Sequence, residues 1–281
     1  MGNLIFCHEW ICYGHIKPKF IIFVRLRRRH MSLISNIEIK KVKSLQQKKF
    51  RDEYGLFVVE GEKMVAEAAA SPFKVERIFR KDEIGEDAMK RISSLSTPSP
   101  VLALVRKPED IRIEDVAVLE DVFSEGGLYL GLDSIRDPGN LGTILRIADW
   151  FGIKAVFAEK DTVDVFNPKV VQATMGAVFR VKMHYVDLKD AARAILSKGG
   201  KVYGTFLDGR NIYDRELDNG VTNPSMIVIG NESDGISAPM SSLVSDRLYI
   251  PPYPAGQPGS ESLNAAVATA LAVAEFRRRI L

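Results

Sequence analysis

From Met31 onward the chain contains no cysteine, because both thiols, Cys7 and Cys12, lie in the first thirty residues. That absence excludes a disulfide scaffold, a cysteine-ligated zinc site and a thiol nucleophile for the body of the protein. Histidine is nearly as scarce: His184 is the only one after Met31, so a histidine-rich metal site or a serine hydrolase has almost no material to be built from. Long hydrophobic runs are missing as well. Ile21 to Val24 is too short to span a bilayer, and Arg27-Arg28-Arg29 follows it rather than precedes it, with no small-residue cleavage site. No signal peptide is read there, and a cytoplasmic protein without membrane or metal partners is expected.

Excess charge of one sign is also lacking. The formal net charge is +3, from 39 basic and 36 acidic residues, but six of the basic residues and only Glu9 of the acidic ones fall in residues 1–30. From Met31 on, acidic residues outnumber basic ones, so affinity for nucleic acid must come from local clusters. For residues 1–30, a metal clip from Cys7, His8, Cys12 and His15 and a basic membrane-surface tag are both conceivable. We favour a leader, non-native or disordered, ahead of a start at Met31, where the composition changes abruptly.

The remainder has ordinary globular composition, with 46% hydrophobic and 27% charged residues, and is long enough for two cores. Residues 31–120 read as a small mixed α/β domain. A cationic stretch (Lys40, Lys41, Lys43, Lys48, Lys49, Arg51) leads into the β-rich run Phe57-Val58-Val59-Glu60-Gly61; a helical stretch from Glu62 to Ala70 follows, then strands at Lys74–Phe79 and Val101–Val105. Residues 121–127, with Ser124 and the Gly126-Gly127 pair, read as a linker. From residue 128 to 281, apolar strands at Leu128–Leu132, Ala155–Ala158, Phe179–Val186, Val202–Leu207, Met226–Ile229 and Arg247–Ile250 alternate with helical segments. That alternation predicts a parallel sheet covered by helices on both faces.

Three segments carry the chemistry. In Asp133-Ser134-Ile135-Arg136-Asp137-Pro138-Gly139-Asn140-Leu141-Gly142-Thr143-Ile144-Leu145-Arg146, a strand ends in a tight turn and a helix begins. Leu141, Ile144, Leu145, Ala148 and Phe151 have core-facing spacing, and Arg146 lies about 140° around the helix from Leu141, away from that core. It is either a solvated arginine or a functional one. In Met226-Ile227-Val228-Ile229-Gly230-Asn231-Glu232-Ser233-Asp234-Gly235, a polar loop follows a strand, where open α/β sheets bind ligands; alone, it reads equally as a turn. In Tyr249-Ile250-Pro251 and Ser262-Leu263-Asn264, an alanine-rich helix begins, with Ser262 the expected N-cap. Leu263, Val267, Leu271 and Ala274 share one face of that helix. Asn264, just inside the first turn, has no helix-forming reason to be there.

These three segments, in this order, resemble the SpoU (TrmH-like) family of RNA ribose 2′-O-methyltransferases of the SPOUT superfamily. The resemblance covers Leu128 to the C-terminus, and Lys40 to Val105 is similar to the family's ribosomal-protein-like substrate-binding domain. It implies a trefoil knot, S-adenosylmethionine as cofactor, an RNA substrate bound through Lys40 to Arg51, and a homodimer. It implies cofactor contacts at Thr205, Gly230, Ile250 and Leu263, with glycine at 230 admitting the adenosine to the main chain. Arg146 takes the catalytic position, with Asn140, Glu232, Ser262 and Asn264 holding it and the ribose in line. One departure is the span from Ile250 to Ser262, longer than the family's usual loop and carrying Pro252, Pro254 and Pro258. Ribosomal RNA is the first substrate candidate and transfer RNA the second. A non-catalytic RNA-binding or ribosome-assembly factor on the same fold remains an alternative. A nucleotide-dependent oxidoreductase would lack its Gly-x-Gly-x-x-Gly fingerprint.

Overall fold

A computed structural model describes residues 34–214, 216–218, 220–254 and 261–278; the readings made of residues 1–30 lie outside this range. Among the described residues, the amino-terminal part runs α1 (Asn36–Ser44), α2 (Lys48–Tyr54), β1 (Leu56–Glu60), α3 (Glu62–Ala70), β2 (Val75–Arg80), α4 (Lys81–Ile84), α5 (Glu86–Ile92), β3 (Val101–Arg106) and α6 (Val116–Val122). Helix α1 starts in a capping box, in which the Ser35 hydroxyl accepts the Glu38 amide and the Glu38 carboxylate accepts the Ser35 amide. Helix α2 stops at Gly55, whose φ of 61° is the left-handed cap that turns the chain into β1. The strands form an antiparallel sheet in the order β1-β3-β2. Helix α6 reaches Val122 and the next strand starts at Gly127, so the connection is shorter than the linker expected over 121–127.

The carboxyl-terminal part runs β4 (Gly127–Asp133), α7 (Pro138–Trp150), β5 (Val156–Glu159), α8 (Pro168–Thr174), β6 (Met183–Val186), α9 (Leu188–Ser197), β7 (Lys201–Asn211), β8 (Pro224–Gly230), α10 (Ala238–Ser241), β9 (Asp246–Tyr249) and α11 (Ala265–Arg278). The expected strand from Phe179 to Val186 is shorter than its sequence suggested. Residues Ala177–Phe179 form a 3₁₀ turn after two left-handed residues, Met175 and Gly176, and only Met183–Val186 pair with β5. The six strands form one parallel sheet in the order β6-β5-β4-β8-β7-β9.

Its two faces sort by the two-residue repeat of a strand. Leu128, Leu130, Leu132, Ile227 and Ile229 lie in the core shared with α7, α8 and α11. Tyr129, Phe157, Val202, Met226 and Val228 face α6, α9 and α10. Helices α7 and α8 approach closely at Gly142, where a Cβ would stand 2.4 Å from that of Ala173.

The small sheet and the large one share an apolar seam. Phe57, Val59, Ala103 and Val105 belong to the same buried cluster as α7 and α8, with the Phe57 and Phe166 rings 4.5 Å apart. The opposite face of β1 and β3, at Leu56, Val58, Leu102 and Leu104, is covered by α1 and α5. Two ionic ties cross the seam. Arg180 bonds both Glu67 on α3 and Asp149 on α7. Arg51 donates to Asp164 from Nε and Nη2 (2.9 and 2.6 Å) and from Nη1 to the Leu45 and Gln46 carbonyls. Arg51 is 1% exposed, so its expected role as an RNA contact is corrected: the guanidinium is consumed by a long-range pair and by two backbone carbonyls.

Arg51→Ala is therefore expected to destabilise the fold by about 3–5 kcal/mol, because it strands a buried carboxylate. Urea unfolding is the measurement, and a loss near that of an ordinary surface substitution would show the pair to be dispensable.

Candidate active site

The strand order reverses direction at the β4–β8 pair: β5 and β6 follow β4 to one side, while β7 and β9 lie beyond β8. Carboxyl ends of strands at such a reversal leave an open crevice. Here the crevice opens beyond Asp133 and Gly230, which are directly paired. The chain leaving β4 goes to α7 on one face of the sheet, and the chain leaving β8 goes to α10 on the other.

Each loop at the crevice is braced by its own polar residues. Ser134 holds a φ of 64°, which is costly for a residue with a Cβ. Its hydroxyl donates to Asp161 (2.7 Å) and its carbonyl accepts from Asn231 Nδ2 (2.7 Å), so the strained turn is fixed from two sides. Asp137 caps α7 by accepting from the Asn140 amide (2.8 Å), with Pro138 as the first helical residue. Asn231 Oδ1 accepts from the Ser233 and Asp234 amides and closes the turn after β8, while Asp133 accepts from the Ser237 amide. Asp133, Asp137, Asp161 and Asn231 were not assigned to the site from sequence. Asp137-Pro138 is a recognisable helix start and Asn231 an Asx-turn former, but Asp133 and Asp161 act on partners that no local pattern reveals.

The three motifs meet in one hydrogen-bond chain. Asn140 Nδ2 donates to Glu232 Oε1 at 2.8 Å, and Asn264 Nδ2 donates to Asn140 Oδ1 at 2.8 Å. Asn264 Oδ1 in turn accepts from the Ala266 and Val267 amides. The direction of this chain is fixed by its ends, since a carboxylate only accepts and helix amides only donate. Both amide side chains between them therefore have one satisfactory orientation. Asn140 is 8% exposed, whereas Glu232 and Asn264 reach solvent.

Several sequence expectations change at this point. Asn264 rather than Ser262 caps α11, and Asn264 thereby has the helix-forming reason it lacked; Ser262 is exposed and hydrogen-bonded to none of the three linked residues. Leu263, Val267 and Leu271 are 47%, 48% and 40% exposed, and the buried side of α11 is instead Ala265, Ala266, Thr269, Ala272, Val273 and Phe276. Arg146 is exposed on α7 and, among the described residues, bonds to no other side chain, so all its donors are available. It stands about 120° around the helix and ~9 Å along it from Asn140, outside the Asn140 chain. Lys40, Lys41, Lys43, Lys48 and Lys49 are exposed on α1 and α2, with Lys48 bonded to Asp52 at 2.9 Å.

The positions expected to meet a cofactor gather on the same edge. Thr205 lies inside β7 rather than at its end, where pairing with β8 stops and the register against β9 shifts. Gly230 ends the neighbouring β8, Ile250 follows β9 and is half-buried, and Leu263 precedes α11. A Cβ at Gly230 would stand 2.2 Å from the Gly235 carbonyl carbon, so the returning turn, and not a ligand, already demands glycine there. Strand-end main chain beside the apolar Ile250 suits a flat heteroaromatic base with polar edges. Among the described residues, no group of three His, Cys, Asp or Glu is placed to hold a metal ion, and no helix is long and apolar enough to cross a membrane.

Comparison with known proteins gives concordant matches. Residues 127–274 match the SpoU rRNA Methylase family, and residues 36–86 match the MRM3-like substrate binding domain. The chain is 33% identical to the 23S rRNA (guanosine(2553)-2′-O)-methyltransferase RlmP of Bacillus subtilis, over 86% of this chain and 96% of that protein. It is 29% identical to the mitochondrial rRNA methyltransferase 3 of Xenopus laevis, over 86% of this chain and 73% of that one. Among solved structures, a putative RNA methyltransferase of the TrmH family from Porphyromonas gingivalis is 37% identical with a TM-score of 0.75, covering 88% of this chain and all of that one. An AdoMet-bound rRNA methyltransferase from Sinorhizobium meliloti is 29% identical with a TM-score of 0.76, covering 88% and 96%.

Asn140→Ala is expected to cost about 1–3 kcal/mol, since it leaves Asn264 Nδ2 without its acceptor and Glu232 without its donor. Hydrogen exchange should then show faster exchange at Ala266 and Val267, while amides in the centre of β4 and β8 keep their protection; unchanged exchange at the start of α11 would refute the coupling.

Proposed function

Since the chain belongs to the SpoU rRNA methylase family, we propose that it transfers a methyl group from S-adenosylmethionine to a ribose 2′-hydroxyl of ribosomal RNA. The observation that carries this reading at the level of the site is the Glu232–Asn140–Asn264 chain at the β4–β8 crevice, on the same helix as the unpartnered Arg146. S-adenosylmethionine supplies an electrophilic methyl on a sulfonium. Thr205, Gly230, Ile250 and Leu263 are the positions that would hold it.

A ribose hydroxyl is a weak nucleophile, so its oxygen must gain charge as the new O–C bond forms and the S–C bond breaks. Arg146 orients that hydroxyl and stabilises the developing negative charge. A guanidinium is too weak a base to take the hydroxyl proton, and a phosphate of the RNA receives it in this reading. Asn140, Glu232 and Asn264 are positioning residues that fix the loop after β8 and the start of α11 against α7. Ser262, exposed beside them, is assigned to the ribose.

The finer architecture belongs to the same proposal. Residues 31–120 form the RNA-binding domain and residues 128–281 the catalytic domain, whose last segments thread a trefoil knot. The protein acts in the cytoplasm as a homodimer. Support for the dimer comes from the apolar stripe Leu263, Val267 and Leu271 on α11, which lies uncovered in the single chain, and from Trp150 at the end of α7, 84% exposed.

Arg146→Ala removes little packing and is expected to leave stability and S-adenosylmethionine affinity near wild type while slowing single-turnover methyl transfer by about 10²-fold or more. Arg146→Lys keeps the charge but not the planar fork and should recover little. Near-normal turnover in the alanine variant would falsify the role of Arg146, and methyl groups recovered on a base would overturn the reaction.

Val267→Asp is expected to convert the dimer to monomer, because it places a charge in the middle of the apolar stripe. Light scattering decides it: a wild-type mass of 31.3 kDa at micromolar concentration would exclude the dimer.

A further inference from the structure

A second concave site lies apart from the β4–β8 crevice, where the small sheet meets the carboxyl edge of the large one. It encloses about 130 Å³, room for roughly four waters. Four cations from four separated stretches of chain line it: Lys48 at the start of α2, Lys107 after β3, Arg112 in the segment before α6, and Lys160 in the loop after β5. The acidic residues that share it are Asp52, Glu114 and Asp164, of which Asp164 is already neutralised by Arg51. The lining is therefore net positive, in a chain whose residues beyond the first thirty are net acidic.

The cations are held in two different states. Lys48 and Lys107 converge on the single carboxylate of Asp52; burial pushes its pKa up, but hydrogen bonds from Lys107 and Lys48 outweigh this and hold it at about 2. One anion is thus shared between two ammonium groups, and Lys107 is pinned pointing into the cleft. Arg112 and Lys160, in contrast, have no side-chain partner among the described residues, although both are within the same cavity wall. Lys48 and Lys107 are accounted for by Asp52, but no ion pair accounts for Arg112 and Lys160 among the described residues. A recess with clustered cations, one of them a guanidinium with no side-chain partner among the described residues, suits an oxyanion carried on a polymer.

Its position says which oxyanion. Asp161, next in sequence to Lys160, accepts from Ser134, so the wall of the cleft is bonded to the turn that opens the catalytic crevice. The opposite wall includes Lys48 and Asp52 of α2, a helix that also carries the exposed Lys49. The recess therefore lies between a helix that carries exposed lysines and a loop bonded to the crevice turn. We propose that the cleft holds backbone phosphates of the substrate RNA, contacted by Arg112 and Lys160, and so sets the reach between the bound RNA and the ribose presented at the β4–β8 crevice. The proposal rests on the RNA methyl-transfer reading above.

The test is filter binding of an unmodified large-subunit rRNA transcript across a salt series, with S-adenosylmethionine titration and methyl transfer measured in parallel. Arg112→Ala/Lys160→Ala removes two exposed and unpaired cations, so cofactor affinity and thermal unfolding should stay at wild type. The slope of log affinity against log salt should fall by about 1.4–1.8, from ~0.7–0.9 per phosphate contact. Removing the same charge from the opposite edge of the sheet, with Lys198→Ala/Lys201→Ala, should leave the slope unchanged. Equal slopes for the wild type and Arg112→Ala/Lys160→Ala overturn the proposal, as does an equal fall in both double variants. If the alanine pair fails to fold, Arg112→Gln/Lys160→Gln, which keeps polar side chains without charge, is read by the same criterion. A wild type that binds the transcript without methylating it would defeat the reaction reading, while the slope comparison would still decide the cleft.

Discussion

A single buried amide organises the carboxyl edge of the sheet. Asn140 receives one helix start through its acceptor and one loop through its donor, and neither contact can be exchanged, because Glu232 offers only lone pairs and α11 offers only N–H groups. Asn140 thereby locks itself to segments 92 and 124 positions further along the chain in one mutual arrangement. A lost partner would leave polar atoms stranded in a partly dry site, where the penalty is larger than in water. The strained Ser134 turn belongs to the same logic, since its φ of 64° persists only because Asp161 and Asn231 hold it from opposite sides. Rigidity here serves chemistry that depends on alignment, in which a displacement of a few tenths of an ångström at the reacting atoms matters.

The alternation of strands and helices was legible because a sheet buried on both faces needs near-continuous apolar strands, as at Leu128–Leu132 and Met226–Ile229. The motif residues Asn140, Glu232 and Asn264 were legible by resemblance, although their mutual bonding was not. What escaped the sequence was settled at long range. Arg51 sits in a cationic run and looks solvated, yet its partner Asp164 lies 113 positions away and no local pattern points to it. The periodicity of α11 defines two faces without saying which is inside; the alanine face won because it permits close approach to α7, and the leucine and valine face was left outside. Phe179 to Lys182 looked like the start of a strand by apolar content alone. Two successive left-handed residues, Met175 and Gly176, turn the chain there before pairing can begin.

Charge is distributed on a different principle from the motifs. The recess lined by Lys48, Lys107, Arg112 and Lys160 adjoins a second concavity, which shares Arg112 and Glu114 with it and sets Asp110, Asp115, Asp121 and Glu125 against Lys154 and Lys182. A molecule that is nearly neutral overall therefore carries a basic and an acidic recess side by side, and such a contrast orients an approaching polyanion before any specific contact forms.

The seam between the two sheets bears on how such proteins can diversify. Phe57 and Val59 of the small sheet are core residues of the large one, and Phe166 and Phe179 of the large part complete the small one. The recognition half is thus not a bead on a string that recombination could replace by any other. A graft would need apolar residues at the positions of Phe57, Val59 and Val105, a cation at 51 to meet Asp164, and an acid at 67 for Arg180. Substitutions that leave the shared interior intact are accordingly confined to outward positions, such as Lys40, Lys41 and Lys49 on α1 and α2.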